Sequence, residues 1–271
     1  MKRNGLTIIG GSLAFAFGVG SSLLFFGANN KSSSANEAPF TEEKRLQQFD
    51  LVAKKYDSLV GLDERVVGVQ KLRKKIGENA KGNVLEVAAG TARNLEFYNQ
   101  NKVTHLTLLD SSPGMIQVAK EKVCFCFKTK IKKSKINKKS KKSKINNLKE
   151  PLSVNILEGD SHQLPFADNT FDTVVDTFGL CSFRDPLAVL AEMSRVCKPD
   201  GQVLLLEHGK SHYSWLAKYQ DRKAEEHAKN WGCWFNKDIQ DIVQKSGLKV
   251  LQSSIHQFGT AFFFVTSPNK S

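Results

Sequence analysis

Cysteine is scarce in this chain, and the cysteines that are present form no recognisable framework. There are five among 271 residues, an odd number, and no C-x-x-C pair occurs. The closest two are Cys124 and Cys126, which one residue separates. The cysteine spacing therefore indicates neither a disulfide framework nor a zinc site.

Net positive charge is almost absent from most of the chain, although the formal net charge of the whole is +13. The segment from Lys128 to Lys149 holds eleven lysines and no acidic residue, and without it the charge falls to +2. Its low complexity predicts a disordered insertion at residues 123–150. Contact with anionic lipid or RNA is the functional alternative, and it rests on this segment alone.

One long stretch has no charge at all, running for 23 residues from Leu6 to Ala28. At helical rise it would span roughly 34 Å, which is enough to cross a bilayer core. We predict a single-pass membrane anchor in residues 1–30, with a cleaved signal peptide or an organelle-targeting segment as the alternatives. Residues 31–40 are typical of a flexible linker, so the folded body is expected at residues 41–271.

From residue 41 onward, helical and strand-like periodicities alternate. Two helical segments come first, and predicted strands at residues 84–87, 104–109, 153–157, 173–177 and 202–207 follow. Predicted helices at residues 91–98, 113–122 and 185–197 lie between them. This alternation is typical of a parallel sheet with crossover helices. The last two predicted strands, at 248–256 and 261–266, are too close together for a crossover helix, so they predict an antiparallel hairpin that turns at Gly259.

Three polar sites follow predicted strands, at the edge where open α/β sheets bind ligands. The first is V-L-E-V-A-A-G-T-A-R, which contains Gly90, and the second is H-L-T-L-L-D, which ends at Asp110. The third, E-G-D-S-H-Q-L-P-F, contains Asp160. Asp110 is placed to accept hydrogen bonds from ribose hydroxyls, and Asp160 from an exocyclic amine such as that of adenine. The sites therefore predict a pocket for a nucleoside.

A dinucleotide is disfavoured because the first site lacks the G-x-G-x-x-G pattern. Ala88, Gly90 and Arg93 occupy the three glycine positions. Arg93 argues against the close contact between helix and strand that a bound pyrophosphate needs. The pocket therefore fits a nucleoside with no obligatory polyphosphate.

Longer segments extend the three sites, including D-S-S-P-G-M-I-Q-V-A, G-D-S-H-Q-L-P-F-A-D-N-T-F-D and L-A-E-M-S-R-V-C-K-P-D-G. Together they resemble the class I S-adenosylmethionine-dependent methyltransferases, especially the branch with the quinone-biosynthesis C-methyltransferases. L-C-S, L-E-H-G and W-G-C-W-F-N resemble membrane-anchored methyltransferase-like proteins, including mitochondrial inner-membrane ones, and a related group that methylates small thiols. The resemblance implies a Rossmann-like, mostly parallel seven-stranded sheet with helices on both faces.

The same resemblance implies roles for individual residues around S-adenosylmethionine. Glu86 and Gly90 would lie beside its methionine part, and Asp110 would hold the ribose. The remaining expected contacts are Met115, Asp160 and Ser161 or His162 around the adenine, Thr177 and Phe178 facing the methyl group, and Tyr56 covering the cosubstrate. The family usually has a third glycine where this chain has Ala92, which matters only if that residue needs a positive φ.

The sequence defines the binding site of the methyl acceptor less fully than it defines the cosubstrate pocket. His208 follows a predicted strand and is a candidate lining residue, with a structural histidine as the alternative. His208 and His212 have no evident third partner, so no metal site is predicted. Trp231, Trp234 and Phe235 would either line an apolar acceptor cavity or pack within the fold.

The predicted function is methyl transfer to a small, lipophilic acceptor by a membrane-anchored enzyme. One alternative is a methyltransferase-like scaffold or assembly factor without turnover. A second is an RNA methyltransferase that uses the lysine-rich insertion.

Overall fold

Seven strands form one sheet in the part of the chain that the computed structural model describes, residues 41–138 and 152–270. In chain order the elements are α1 (Glu42–Val66), α2 (Val69–Asn79), β1 (Gly82–Val87), β2 (Val103–Asp110), α3 (Pro113–Lys138), β3 (Ser153–Glu158), β4 (Phe171–Thr177), α4 (Pro186–Val196), β5 (Cys197–His208), α5 (Ser214–Trp231), α6 (Ile239–Lys245), β6 (Lys249–His256) and β7 (Ala261–Ser267).

The strand order is β3-β2-β1-β4-β5-β7-β6. Strands β1 to β5 are parallel, and β7 runs antiparallel to both β5 and β6. This arrangement confirms the predicted Rossmann-like sheet and its C-terminal antiparallel hairpin. The strand order reverses between β1 and β4, and the carboxyl ends of the strands at such a reversal form the usual ligand crevice.

Both faces of the sheet are buried at the central strands β1, β4 and β5, which explains the nearly continuous apolar runs of these strands. Leu85 and Val87 of β1 belong to a buried cluster that includes Leu190 and Met193 of α4. The alternate residue, Val84, joins a cluster on the opposite face with residues of α2 and α3. Successive side chains of a strand point to opposite faces, so one sheet supports two helical layers.

The segment that joins β1 to β2 corrects one predicted element, because residues 91–98 form turns instead of a helix. Its backbone bonds join residues three apart, such as Ala92 N–H to the Ala89 oxygen at 2.9 Å and Phe97 N–H to the Asn94 oxygen at 2.9 Å. Ala92 has a φ of 58°. A residue in the left-handed region cannot continue a right-handed helix.

Helix α3 extends beyond its predicted end at residue 122 and continues to Lys138. Lysine has a good helix propensity, and the sequence has no proline between Pro113 and Pro151 to stop the helix. The part of the predicted insertion at 123–138 is therefore helical. The remainder of the lysine-rich segment, to Lys149, lies outside the described residues.

The predicted membrane anchor from Leu6 to Ala28 and the linker at 31–40 also lie outside the described residues. Across residues 41–138 and 152–270, no helix combines the length and apolarity that crossing a membrane would require.

Two helices cover the carboxyl edge of the sheet. Helix α1 starts at the N-cap Thr41, whose side chain accepts the Lys44 N–H, and it packs against both α3 and α5. Gly68, with a φ of 81°, separates α1 from α2. The second covering helix is α5, which follows β5 in the chain. The cover therefore combines residues from both ends of the domain.

Candidate active site

A cavity with about 650 Å³ of free space, including its open mouth, lies at the carboxyl ends of β1, β2 and β4. We call it the sheet-edge cavity. Glu86, Gly90 and Asp160 are not part of its wall, and His208 lines a neighbouring cavity. The structure brings together six of the predicted site residues in this wall: Tyr56, Asp110, Met115, Ser161, Thr177 and Phe178.

Asp110 ends β2 and joins the first two polar sites. One carboxylate oxygen accepts the Gly90 N–H at 2.8 Å, and the other accepts the Ser112 N–H at 2.9 Å. Burial raises the pKa of this carboxyl. A carboxylate has about four acceptor positions, so each oxygen retains capacity for a further donor. Asp110 can therefore hold the Gly90 turn and still accept the two hydroxyls of a ribose.

The turn after β1 has three residues in the left-handed region, at Ala88 (φ 46°), Gly90 (φ 54°) and Ala92 (φ 58°). Ala92 thus adopts the conformation in which alanine is unfavourable, at roughly 1–2 kcal/mol per residue. The Ala89 N–H donates to the Leu109 oxygen at 3.0 Å, which anchors the turn to β2. The turn has the backbone of a glycine-rich loop although alanine fills two of the three positions.

Glu86 is buried behind this turn. Its two carboxylate oxygens accept from the Asn94 side-chain amide at 2.9 Å and the Tyr98 hydroxyl at 2.7 Å. Burial raises the pKa of Glu86 to about 7. Its oxygens fix the segment that holds Asn94 and Tyr98, so its contact with the methionine part of the cosubstrate stays a prediction.

The third polar site divides between the cavity wall and a surface turn. Ser161 is buried and lines the sheet-edge cavity. Asp160 is largely exposed, and one of its oxygens accepts the His162 N–H at 2.9 Å and pairs with the His162 ring at 2.7 Å. Of these three residues, Ser161 is the one that reaches the cavity in this structure.

Two arginines that the sequence analysis did not select as site residues form a cationic part of the wall. Arg73 contacts one oxygen of Glu64 at 2.7 Å, and Arg93 contacts the other at 2.6 Å. Burial alone would raise the pKa of Glu64, but the two guanidinium groups hold it below its usual range. Arg93 also pairs with Asp57 at 3.0 Å. These contacts fasten α1 to the turn that follows β1.

A local signal for Arg73 does exist in the sequence. It lies four residues after Val69 and three before Ile76, and both of these residues are buried. Residues at these spacings share one helix face, so the pattern puts a charge on the apolar side of α2. A buried charge of this kind needs an ionic partner, which Glu64 supplies across the break between the two helices.

Phe178 stands at the boundary of the sheet-edge cavity, directly after β4. Its φ of 63° is unusual for a bulky residue, and its N–H donates to the Leu206 oxygen at 2.8 Å. The Arg73 guanidinium lies 5.1 Å from its ring centre. Arg73 also donates to the Thr177 hydroxyl at 3.3 Å. Strained backbone held by its surroundings is common at functional sites.

A second cavity, with about 1030 Å³ of free space including its open side, lies between α1, α5 and the ends of β4 and β5. We call it the cap cavity. Val60, Trp231 and Phe235 give it an apolar lining, and His208 lies in its wall. Trp234 does not line it and packs against Cys181, Cys233 and Phe235. Four residues line both cavities: Phe49, Tyr56, Phe178 and Ser182.

His208, the last residue of β5, lies beside two cysteines. Its Nε2 is 3.4 Å from the Cys233 Sγ and 4.0 Å from the Cys181 Sγ. His212, the partner considered from spacing, instead has its ring centre 4.2 Å from that of Tyr213. The group of Cys181, His208 and Cys233 has the geometry to hold a metal ion, and sequence spacing gave no sign of it.

The chain matches the family described as "Methyltransferase domain" over residues 85–205. A Saccharomyces cerevisiae protein named methyltransferase OMS1, mitochondrial, is 32% identical over 242 residues, which cover 88% of this chain and 49% of that protein. The demethylmenaquinone methyltransferase of Renibacterium salmoninarum is 33% identical over 164 residues, which cover 59% of this chain and 56% of that protein. The chain belongs to the class I S-adenosylmethionine-dependent methyltransferases. These relatives agree with the quinone-biosynthesis branch.

A solved structure shares the fold of this chain. The S-adenosylmethionine-dependent methyltransferase of Aquifex aeolicus superposes with a TM-score of 0.53 at 19% identity, covering 80% of this chain and 97% of that chain. The present chain spans about half the length of the two curated relatives, at 49% and 56%.

Proposed function

We propose that this protein transfers the methyl group of S-adenosylmethionine from the sheet-edge cavity to a small, apolar acceptor in the cap cavity. The observation that carries the proposal is the wall that the two cavities share. Tyr56 and Phe178 contact both spaces, so ligands in the two cavities would meet beside these rings. A methyl group at this boundary would face the acceptor directly.

The sheet-edge cavity has suitable groups for each part of the cosubstrate. Asp110 would accept the ribose hydroxyls, and Met115 would contact the adenine. Arg73 and Arg93 offer guanidinium donors, which suit the carboxylate of the methionine part. The sulfonium would lie near Tyr56, because an aromatic face stabilises a cation.

The chemical step asks little of the protein beyond alignment. The sulfonium makes the methyl group a strong electrophile, and holding the nucleophile in line with the breaking C–S bond can lower the barrier by up to roughly 7–11 kcal/mol. A base is needed only when the acceptor must lose a proton. His208 lines the acceptor side of the shared boundary, where its ring lies 5.5 Å from the Phe178 ring.

We propose that the acceptor is lipophilic and that the protein is located in the mitochondrion. The lining by Val60, Trp231 and Phe235 supports an apolar molecule, and the name demethylmenaquinone methyltransferase links relatives to quinone chemistry. The name of the yeast relative supports the mitochondrion. The uncharged stretch from Leu6 to Ala28 supports attachment to a membrane by a single pass.

The test is transfer of labelled methyl from S-adenosylmethionine to the organic-extractable small molecules of a cell extract. We expect labelling by the full chain and its loss in Asp110→Asn, whose side chain keeps only one acceptor oxygen. Asp172→Asn is the matched control, because Asp172 also accepts a backbone N–H, that of Asn83 at 2.7 Å, but at the opposite end of the strands. No labelling, together with no cosubstrate binding at millimolar concentration, would refute the proposal.

A scaffold without turnover is the second candidate, and the turn after β1 favours it. Ala88 and Ala92 both occupy left-handed backbone, where glycine would be less strained. A protein of this kind would keep the fold and bind no cosubstrate. Methyl transfer that disappears in Asp110→Asn would exclude it.

A further inference from the structure

We infer that Cys181, His208 and Cys233 form a zinc-binding site in the wall of the cap cavity. The three side chains come from separate segments: the turn after β4, the end of β5 and the loop after α5. One ligand atom from each lies within 4.8 Å of the others. All three residues line the cap cavity.

The distances fit a tetrahedral ion. Zinc binds sulfur at about 2.3 Å and nitrogen at about 2.0–2.1 Å, which sets a sulfur–nitrogen separation of roughly 3.6 Å across a tetrahedron. The Nε2 of His208 is 3.4 Å from one sulfur and 4.0 Å from the other, values on either side of this separation. Both observed separations lie within about 0.4 Å of the tetrahedral value.

The surrounding structure holds the ligands in place. Trp234 N–H donates to the Cys181 oxygen at 3.0 Å, which joins the two cysteine-bearing segments. Gly232, with a φ of 71°, directs the chain from α5 into the Cys233 loop. A Cβ on Gly232 would lie 2.8 Å from the Phe49 ring, so a larger residue would disturb the loop. The ligands are therefore fixed by backbone contacts as well as by packing.

The chemistry of the group also suits zinc. On binding, the two thiols would release their protons to solvent, and the sulfurs and Nε2 would each donate an electron pair to the ion. Two thiolates balance the charge of Zn²⁺, and this ligand set is typical of zinc.

Three protein ligands leave a fourth position, which a water or a heteroatom of a bound molecule would occupy. His227 lines the same cavity, with its ring centre 6.4 Å from that of His208. The idea that the fourth position faces a methyl acceptor rests on the proposed function, whereas zinc binding itself does not.

The test measures zinc in the purified full chain after dialysis, and titrates the metal-free protein with Co²⁺ while following thiolate-to-metal absorption. We expect about one zinc ion per chain and an absorption spectrum of tetrahedral cobalt with sulfur ligands. In Cys233→Ser and His208→Gln, metal affinity should fall by at least about a hundredfold, because each change removes a direct ligand. The controls Cys124→Ser and His212→Gln, which retain all three ligands, should bind as the unaltered chain does.

Cosubstrate affinity, measured on the same samples, separates this inference from the proposed function. A variant that binds S-adenosylmethionine but has lost zinc is folded, so its loss of metal supports the site. Zinc binding without cosubstrate affinity would sustain the site and count against methyl transfer. The site would be wrong if the chain retained no zinc, if Cys233→Ser bound it unchanged, or if mass spectrometry found Cys181 and Cys233 joined as a disulfide.

Discussion

The sheet-edge cavity and the cap cavity lie side by side but are lined by different kinds of residues. The first uses residues at strand ends, above all Asp110 and the turn at Gly90, with a cationic part of the wall at Arg73. The second uses apolar side chains from covering helices, together with His208 and its cysteine neighbours. The difference implies that ionic contacts of Arg73 and Arg93 with Glu64, which lies in the cap-cavity wall, stabilise the first cavity, whereas apolar packing gives most of the second its shape.

The largest expected effect tests whether ion pairs stabilise the sheet-edge cavity. Glu64→Gln removes the charge that faces both Arg73 and Arg93, and breaking a buried pair of this kind costs about 3–5 kcal/mol. We expect a decrease of that size in the free energy of unfolding at pH 7, measured in urea. The exposed pair of Lys223 and Glu226 supplies the control, because Glu226→Gln should change stability by less than about 1 kcal/mol.

The pH dependence of the Glu64 contribution has a definite sign. The folded pKa is depressed, so the contribution is complete above the unfolded value of 4.5 and is lost as pH falls through the folded pKa. The difference between the unaltered chain and Glu64→Gln should therefore shrink in acid. A difference that does not depend on pH would show that packing, and not charge, is responsible.

The second expected effect concerns Glu86, whose pKa shift has the opposite sign. Its folded pKa of about 7 lies above the ordinary 4.5, so the folded state holds the proton longer and stability falls as pH rises between these values. At about 1.4 kcal/mol per pH unit, the decrease in the free energy of unfolding between the two pKa values amounts to about 3 kcal/mol. Glu86→Gln should abolish this decrease, because glutamine does not titrate. Urea unfolding of both proteins from pH 4 to pH 8 measures it, and parallel pH profiles would contradict the buried, protonated state.

The third prediction tests whether the two cavities bind different ligands. Asp110→Ala removes both acceptors for the ribose, at roughly 2–3 kcal/mol, so the Kd for S-adenosylmethionine should rise about 30- to 150-fold. Trp231→Leu changes only the cap cavity, so it should leave this Kd within about threefold and raise the acceptor KM. Calorimetry and steady-state kinetics measure the two effects. Equal effects of both substitutions on cosubstrate affinity would mean that the two cavities form a single binding site.

The smallest expected effect asks how closely the cosubstrate approaches the turn after β1. Gly90→Ala places a methyl group in open space at a φ of 54°, with an expected stability cost of about 1–2 kcal/mol. Gly247→Ala is a matched control, since its φ is 76° and its surroundings are equally open. Both should lower stability to a similar extent, but only Gly90→Ala should weaken cosubstrate binding. Unchanged binding in Gly90→Ala would place the ligand away from the turn.

Sequence patterns anticipated the sheet better than they anticipated the turn after β1. The strand that contains Val84 and the hairpin that turns at Gly259 were both predicted, because apolar runs and short connections report local geometry directly. The helix predicted at residues 91–98 was wrong. Its composition is compatible with a helix, but the backbone at Ala92 and the bond from Asn94 to Glu86 impose turns.

The sequence by itself determined the layered α/β fold and the sheet edge that carries Asp110 and Ser161. Short stretches of the chain carry the residue patterns that indicate burial on both faces of a strand, the alternation of strands with helices, and the ends of strands. Only the tertiary structure decided how distant charges and ligands meet. Arg93 meets Glu64 across 29 positions, and His208 meets Cys181 across 27 and Cys233 across 25. Such contacts depend on how the crossover connections and covering helices pack, which local periodicity does not record.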